Sequence, residues 1–169
     1  MRSTPQAKKD ALVTKLKEAR RALLAAVTAL PPPAWDIRFL GVWSAHDIVA
    51  HLVGWDAANL YAIRAIVQGR LPAFYAQYDT DWRTFNAELV TRHKRPTLEE
   101  TLSAALASHR DLLEALNALP AEEMIRDHGV RSPRGRKVTV AMLLSAEAGD
   151  ERKHGEQIRA FATQLQGSA

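Results

Sequence analysis

The sequence predicts an all-α protein, a four-helix bundle, and three observations support this prediction. Four long segments carry apolar residues at three- and four-residue spacing. Stretches with proline or glycine separate these segments, and no part of the sequence shows the alternation of strands joined by hairpin turns. At 169 residues and 47% hydrophobic content, the chain has enough apolar surface for one core, so we expect a single domain over residues 1–169.

The first two predicted helices have clear ends. The first spans about residues 5–30 and stops at the prolines of residues 31–33, because proline inside a helix removes a backbone hydrogen bond. The second begins at Ser44 and continues to about Gln68. Ser44 and Asp47 have the spacing of a capping box, which indicates a helix start at this point.

A long connection, residues 69–96, separates the second and third predicted helices. Its second half, from Asp79, has apolar residues at helical spacing and predicts a short amphipathic helix. The connection is long enough to cross the bundle, so the helices on either side of it need not be hairpin neighbours.

The remaining two predicted helices follow this crossover. The third begins at Thr97, which forms a second capping-box pair with Glu100, and ends near Leu119. A loop of residues 127–137 contains two glycines and a proline, which predict a small turn or hairpin. The fourth predicted helix spans about residues 139–165.

Composition excludes several classes of protein. Because cysteine is absent, disulfide bonds, thiolate metal ligands and cysteine nucleophiles are excluded, and a cytoplasmic location is expected. The N-terminal residues are polar and the apolar stretch behind them is short, so we expect neither a signal peptide nor a membrane span. A membrane partner is therefore not predicted.

The formal net charge of +4 raises the question of nucleic acid, since Lys and Arg neutralise phosphates. Basic residues are spread along the chain and mixed with acidic ones, so we expect no nucleic-acid partner. The densest basic group lies in the Gly/Pro loop and comprises Arg131, Arg134, Arg136 and Lys137. We expect a solvated loop there, with contact to a phosphate or an acidic ligand as the alternative.

Polar residues interrupt the inward stripe of the fourth predicted helix. Asp150 and His154 are four residues apart, so they share one helix face with roughly 5–6 Å between their Cβ atoms. Glu151 lies beside them, and His51 lies on or next to the apolar face of the second predicted helix. Because an unpaired buried polar group costs several kcal/mol, we expect His51 and His154 to share one cavity.

Two arrangements of that cavity are open. Two imidazoles and the Asp150 carboxylate can hold a divalent metal with one position left for water or substrate. A hydrogen-bonded network of histidine and aspartate needs no metal. Asn86 is a further candidate, because its amide lies among aromatic residues that either line a pocket or pack in the core. We expect His109, on the third predicted helix, to be a core or boundary residue whose hydrogen bonds are satisfied. We expect His46, on the second, to be exposed.

Two stretches of sequence resemble the motifs of the DinB/YfiT-like superfamily of four-helix bundles. These are residues 43–52, WSAHDIVAHL, and residues 154–158, HGEQI. The connection with Asn86, followed by the capped helix at Thr97, is most similar to the ClbS/DfsB-like branch. The resemblance extends over about residues 5–165.

This resemblance implies up-down-down-up topology, a homodimer and a divalent metal such as zinc, nickel or iron held by three histidines. His51 and His154 match two of those ligands, and Asp150 stands where the family has the third. The site either survives as two histidines and a carboxylate or has lost its metal. Relatives include transferases and isomerases that use a low-molecular-weight thiol, and ClbS-like proteins that open a reactive cyclopropane.

Two functions follow as hypotheses. The first is a metal-dependent enzyme in which His51, Asp150 and His154 hold an ion that activates a thiol cosubstrate or water for attack on a small electrophile. Glu151, as an outer base, and Asn86 are its predicted catalytic residues. The second is a metal-free, ClbS-like protective hydrolase or small-molecule binding protein in stress or toxin resistance, with Asp150 or Glu151 as general base.

Overall fold

The computed structural model describes residues 3–167, and within this range the secondary structure is almost entirely helical. Two isolated bridges are the only strand-like pairings of the described residues. The predicted all-α helical bundle is therefore confirmed. The helices follow one another as α1 (Pro5–Thr28), α2 (Ala45–Val67), α3 (Phe74–His93), α4 (Leu98–Ala118), α5 (Ala121–Ile125) and α6 (Val140–Gly167).

Helix packing creates two apolar layers. Helix α1 lies along α6, whereas α2 packs against α4 and α3 and also contacts α6. Leu23, Ile48 and Ile158 centre one layer, and Leu16 and Leu144 belong to the other. Full burial of each such side chain contributes roughly 1.5–3 kcal/mol, so the interhelical layers supply most of the driving force for this arrangement.

The predicted helix starts are confirmed by their caps. At the start of α2, the Ser44 hydroxyl accepts from the backbone N–H of Asp47, whose carboxylate accepts from the backbone N–H of Ser44. Thr97 and Glu100 make the same reciprocal pair at the start of α4. Helix α1 ends at Thr28, just before the proline run. The boundary signals in the sequence were therefore reliable.

The crossover helix is longer than predicted. It begins at Phe74 instead of Asp79 and continues to His93, with a break at Asp81, where φ is −147° and ψ is 73°. The Asp81 carboxylate accepts from the backbone N–H of Thr84 at 3.1 Å and from its hydroxyl at 2.5 Å. Asp81 thus caps the second half of α3, and local capping explains a break that apolar spacing does not reveal.

A glycine lets α3 lie close against α2. A Cβ atom at Gly54 would come within 2.7 Å of the Leu89 Cβ. Such a contact is too short for any side chain at this position. The close approach brings α3 within hydrogen-bonding distance of α2, at the side of the bundle where a large pocket opens.

The prediction that His46 is exposed is wrong. Its side chain is 2% exposed, and its two ring nitrogens lie 3.1 Å from Asp36 Oδ1 and 2.8 Å from Thr101 Oγ1. The loop before α2 folds over the first turn of that helix, and Thr101 reaches it from α4. Burial here depends on two segments distant in sequence, so spacing within α2 did not predict it.

Candidate functional site

A pocket of about 1250 Å³ opens between α2, α3, α6 and the loop of residues 126–139. Its inner wall contains His51, Trp55, Asn86 and His154. The volume lies above the roughly 300–1,000 Å³ that is typical of small-molecule sites. The pocket is therefore large enough for an extended organic molecule.

The two predicted histidines meet in this pocket. The ring centroids of His51 and His154 are 5.5 Å apart, and the rings are nearly perpendicular. Trp43 lies against both, with its centroid 4.7 Å from that of His51 and 6.3 Å from that of His154. The prediction that the two imidazoles share one cavity is confirmed.

Both imidazoles are held in the neutral form. Burial, with a smaller contribution from the neighbouring His154 ring, lowers the pKa of His51 to about 3. Burial also lowers the pKa of His154, although its hydrogen bond to Gln157 and the Asp150 charge oppose the shift. Neutral imidazoles retain a lone pair, so each ring can accept a proton or a hydrogen bond.

The hydrogen bonds of the two rings differ. His154 Nδ1 lies 2.8 Å from Gln157 Oε1, which can only accept, so Nδ1 carries the proton and the lone pair is on Nε2. His51 Nδ1 is buried and has no hydrogen-bond partner, and its side chain is only 6% exposed. An unpaired buried polar atom costs about 1–3 kcal/mol, a cost that proteins often retain where the atom serves function.

The Asn86 amide is fixed at the pocket wall. Its Oδ1 accepts a hydrogen bond of 3.1 Å from Trp55 Nε1. Trp55 is in turn surrounded by Phe74, Tyr78 and Phe85, with ring centroids 5.3–5.4 Å away. Because its oxygen is engaged, the Asn86 NH₂ group is the part of the amide available to a ligand.

The predicted metal set does not form a three-ligand site in this structure. A three-ligand site needs one ligand atom from each residue, all within 4.8 Å of one another. The atoms of His51, Asp150 and His154 do not meet this spacing, whereas one other group of described residues does. Asp150 lines the pocket but is exposed. Two imidazoles are fewer ligands than the three or four by which proteins hold zinc. As placed, these residues do not fit a divalent metal, and we assign no chemical step to one.

A second polar group, the buried ion cluster, lies inside the bundle and consists of Arg20, Asp56 and Glu151. Arg20 donates to both oxygens of Asp56 at 2.9 Å and to the oxygens of Glu151 at 2.9 and 2.7 Å. Although burial would lower the pKa of Arg20, its hydrogen bonds and charge interactions with the two carboxylates raise it, so the guanidinium stays charged. Arg20 was not predicted from the sequence.

The predicted catalytic residue Glu151 belongs to this cluster and does not line the pocket. Its side chain is 0% exposed, and its carboxylate faces Arg20. Although Asp150 is the adjacent residue, the helical turn directs the two side chains to different sides of α6. The structure therefore separates Glu151 from His51 and His154.

Asp56, His109 and Glu151 are the candidate Asp/His/Glu metal group of the described residues, with ligand atoms within 4.8 Å of one another. His109 is 8% exposed as expected, but both of its ring nitrogens lack hydrogen-bond partners, so the prediction that it is satisfied is wrong. The Arg20 guanidinium already forms ion pairs with both the Asp56 and the Glu151 carboxylates. A metal ion would have to displace that cation or lie beside it.

Cationic side chains surround the mouth of the pocket. Five cationic and two anionic residues line it, namely Arg83, Arg134, Arg136, Lys137 and Lys153 against Asp79 and Asp150. Within residues 3–167, none of the five cations forms an ion pair, whereas Arg131 of the same loop pairs with Asp127 at 2.8 Å. The loop is exposed as predicted, but its charges converge with residues of α3 and α6, which the sequence did not indicate.

Comparisons with known proteins agree with this architecture. The family model described as the DinB superfamily matches residues 15–158. Among curated proteins, none matches the chain by sequence. No helix formed by the described residues is both long and apolar enough to cross a membrane.

Three solved structures share the fold. The colibactin self-resistance protein ClbS, solved in complex with double-stranded DNA, has a TM-score of 0.73 at 13% identity, covering 90% of this chain and 93% of ClbS. A Streptococcus pneumoniae protein has a TM-score of 0.74 at 12% sequence identity, covering 95% of this chain and 91% of that protein. An uncharacterised protein from Clostridium difficile 630 has a TM-score of 0.75 at 15% sequence identity, covering 90% of this chain and 94% of that protein. The resemblance to the DinB superfamily is confirmed, and ClbS shares its fold.

The prediction that nucleic acid is excluded as a partner is overturned by this comparison. ClbS, a protein of the same fold, has been crystallised with double-stranded DNA. The prediction relied on the spread of basic residues along the sequence. In three dimensions five of them gather at one pocket, so spread in sequence is no argument against a concentrated positive surface.

Proposed function

Because the chain belongs to the DinB superfamily, we propose that it is a protective hydrolase that needs no metal and acts on a small electrophilic molecule in the pocket. The observation that carries this proposal is the pair of neutral imidazoles in its wall, 5.5 Å apart. The proposal includes a role in stress or toxin resistance, in keeping with the self-resistance function that the name of ClbS states.

In the proposed reaction, His154 is the general base. Its Nε2 lone pair takes a proton from water while the water oxygen forms a bond to an electrophilic carbon. The bond from that carbon to the leaving atom breaks, and the electron pair goes to the leaving atom. The imidazolium then returns the proton to that atom, so His154 ends neutral and the sum of the reaction is the addition of water.

Other pocket residues support this chemistry. The Asn86 NH₂ group is available to donate to an oxygen of the substrate, since its carbonyl is held by Trp55. Asp150 opposes the fall of the His154 pKa and so keeps the imidazole a stronger base. His51 can accept a hydrogen bond from the attacking water. Glu151 has no part in the proposal, because Arg20 holds it inside the bundle.

An aryl epoxide tests the proposal. Hydrolysis of 4-carboxystyrene oxide is followed with excess chelator and without thiol, for the wild type, His154→Gln and the control His93→Gln, which changes a half-buried histidine that does not line the pocket. We expect turnover in the wild type and in His93→Gln and its loss in His154→Gln. The rate should rise with pH through the lowered His154 pKa and level off at neutral pH. Equal turnover in all three proteins contradicts the assignment of His154.

The metal-dependent reaction with a thiol cosubstrate stays an alternative prediction. The two imidazoles in the pocket wall favour it, since each neutral ring retains a lone pair that a metal such as zinc, nickel or iron would need. Calorimetric titration of zinc into chelator-stripped protein discriminates the two reactions. Tight binding in the wild type that is lost in Asp150→Ala supports the metal site, whereas identical isotherms support the metal-free proposal.

DNA binding is a second candidate function. The five cations at the pocket mouth favour it, together with the DNA complex of ClbS. Anisotropy of a short labelled duplex, measured over a series of salt concentrations, tests this candidate. If phosphates bind at the mouth, affinity should fall steeply with salt, and Arg134→Ala with Arg136→Ala should reduce the salt slope. An unchanged slope contradicts binding at this surface.

A further inference from the structure

We propose that the ligand of the pocket is an aromatic small molecule with an anionic group, whose apolar body lies against the tryptophans and whose anion lies at the basic rim. The basic rim is defined as Arg134, Arg136, Lys137 and Lys153. This inference rests on the proposed function and extends it by naming the chemical class of the substrate.

The charge of the rim is the first argument. Cations exceed anions by three among the residues that line the pocket, whereas the whole chain has a net charge of only +4. Within the part of the chain that the structure describes, Arg134, Arg136 and Lys153 form no ion pair with a carboxylate, in contrast to Arg131, and Lys137 interacts with Asp127 only over a longer distance. Unpaired like charges around one opening create a positive potential that attracts anions.

The loop that carries the rim is a folded hairpin. Lys137 and Arg131 form an antiparallel bridge, and the backbone N–H of Val138 donates to the Val130 carbonyl at 3.1 Å. At its tip, Gly135 has φ of +74°, which favours glycine. The hairpin therefore fixes Arg134 and Arg136 on either side of the tip, and Lys153 joins them from α6.

The apolar part of the pocket is the second argument. Trp43, Trp55 and Tyr78 line its interior. At the opening, the large apolar residues Val42, Trp82 and Met142 are 69%, 52% and 49% exposed. Exposed apolar groups gathered at a pocket are typical of ligand sites, and flat aromatic molecules pack well against indole rings. An aromatic body in the interior would place its anionic end beside the rim.

Two fluorescent probes with the same aromatic body separate the contributions of charge and shape. 8-Anilinonaphthalene-1-sulfonate carries an anion, and N-phenyl-1-naphthylamine is its neutral counterpart. Both are titrated into the wild type, the double variant Arg134→Ala/Arg136→Ala and the control Arg131→Ala, which removes a paired charge from the same hairpin. Circular dichroism confirms that each variant is folded.

We expect the wild type to bind the sulfonate more tightly than the neutral probe. The double variant should lose about tenfold in sulfonate affinity, as expected for two partly exposed charge contacts, while its affinity for the neutral probe stays the same. Arg131→Ala should behave like the wild type. Equal losses in the double variant and Arg131→Ala, or no loss in either, overturn the proposal.

Two further measurements identify the source of the anion. The first is competition between a DNA duplex and the sulfonate. If the duplex displaces the sulfonate and has the higher affinity, the rim binds DNA phosphates and the small-molecule assignment is overturned. Epoxide hydrolysis by His154→Gln is measured beside the probe titrations, which involve no reaction and therefore test the rim independently of hydrolysis. If His154→Gln keeps full hydrolysis of the epoxide, only the proposed reaction fails.

Discussion

Helix α6 contributes to two polar groups that differ in nearly every physical respect. On one face, Glu151 joins the buried ion cluster, in which Arg20 donates to both carboxylates. On another face, Asp150 and His154 line an open pocket, where His51 retains an unpaired nitrogen. The buried ion cluster is closed to solvent and most of its polar atoms have hydrogen-bond partners. The pocket is open, and some of its polar atoms remain free to form hydrogen bonds.

This difference separates stabilising polar groups from those available for function. Breaking a buried ion pair leaves an uncompensated charge and is strongly destabilising. Removing a polar atom that has no partner costs little and can stabilise the protein. The effect of substitution on stability should therefore have opposite signs in the two groups.

The largest effect is expected for Arg20→Met. The change leaves the buried carboxylates of Asp56 and Glu151 without their cation, so the free energy of unfolding should fall by about 3–5 kcal/mol. Urea denaturation measures this change. The neighbouring exposed residue supplies a control, Arg21→Met, which should stay within about 0.5 kcal/mol of the wild type. Equal effects of the two substitutions contradict a stabilising role for the cluster.

Glu147→Gln tests the electrostatics next to the cluster. Burial, followed by the charges of Glu151 and Asp56, raises the pKa of Glu147 from 4.5 to about 8. The folded state thus holds a proton that the unfolded state releases above pH 4.5, so wild-type stability should decline as pH rises from 4.5 to 8. Glutamine mimics the protonated acid and should add on the order of 2–4 kcal/mol at pH 8 and almost nothing at pH 4.5.

Denaturation at both pH values checks this prediction. The exposed control Glu18→Gln should leave the pH profile of stability unchanged. If Glu147→Gln lowers stability at pH 8, the Glu147 carboxyl is ionised and satisfied in the folded protein, and the expected rise of its pKa is wrong.

The smallest effect, opposite in sign to that of Arg20→Met, is expected in the pocket. His51→Leu removes an unpaired buried nitrogen and should leave stability unchanged or raise it by about 1 kcal/mol, while impairing epoxide hydrolysis. His46→Leu is the comparison, because both nitrogens of that ring have partners, and it should destabilise the protein by about 1–3 kcal/mol. If His51→Leu lowers the free energy of unfolding as much as His46→Leu does, the His51 ring has a structural role.

Much of the fold could be predicted because its signals are local. Capping boxes, the proline run and apolar spacing lie within short stretches, and they placed the helix starts correctly. Spacing also indicated that His51 and His154 meet. Arg20 was missed, although a signal existed: it lies four residues after Leu16 and three before Leu23, within the apolar stripe of α1.

Other features depend on contacts between distant segments. The burial of His46 requires Asp36 and Thr101, and the basic rim requires Lys153 to lie beside the hairpin. The separation of Asp150 from Glu151 depends on the rotation of α6, which buries Glu151 and leaves Asp150 exposed. Helical spacing alone cannot resolve such a difference between adjacent residues.

The most direct test of the central claim, that the pocket and not the buried ion cluster is the functional site, uses the imidazole nitrogen resonances. Long-range ¹H–¹⁵N spectra are recorded during titration with 8-anilinonaphthalene-1-sulfonate and assigned with single His→Gln variants. We expect saturable shifts for His51 and His154 and none for His109, which lies beside the cluster. Shifts at His109 without shifts at His51 and His154 would contradict the claim.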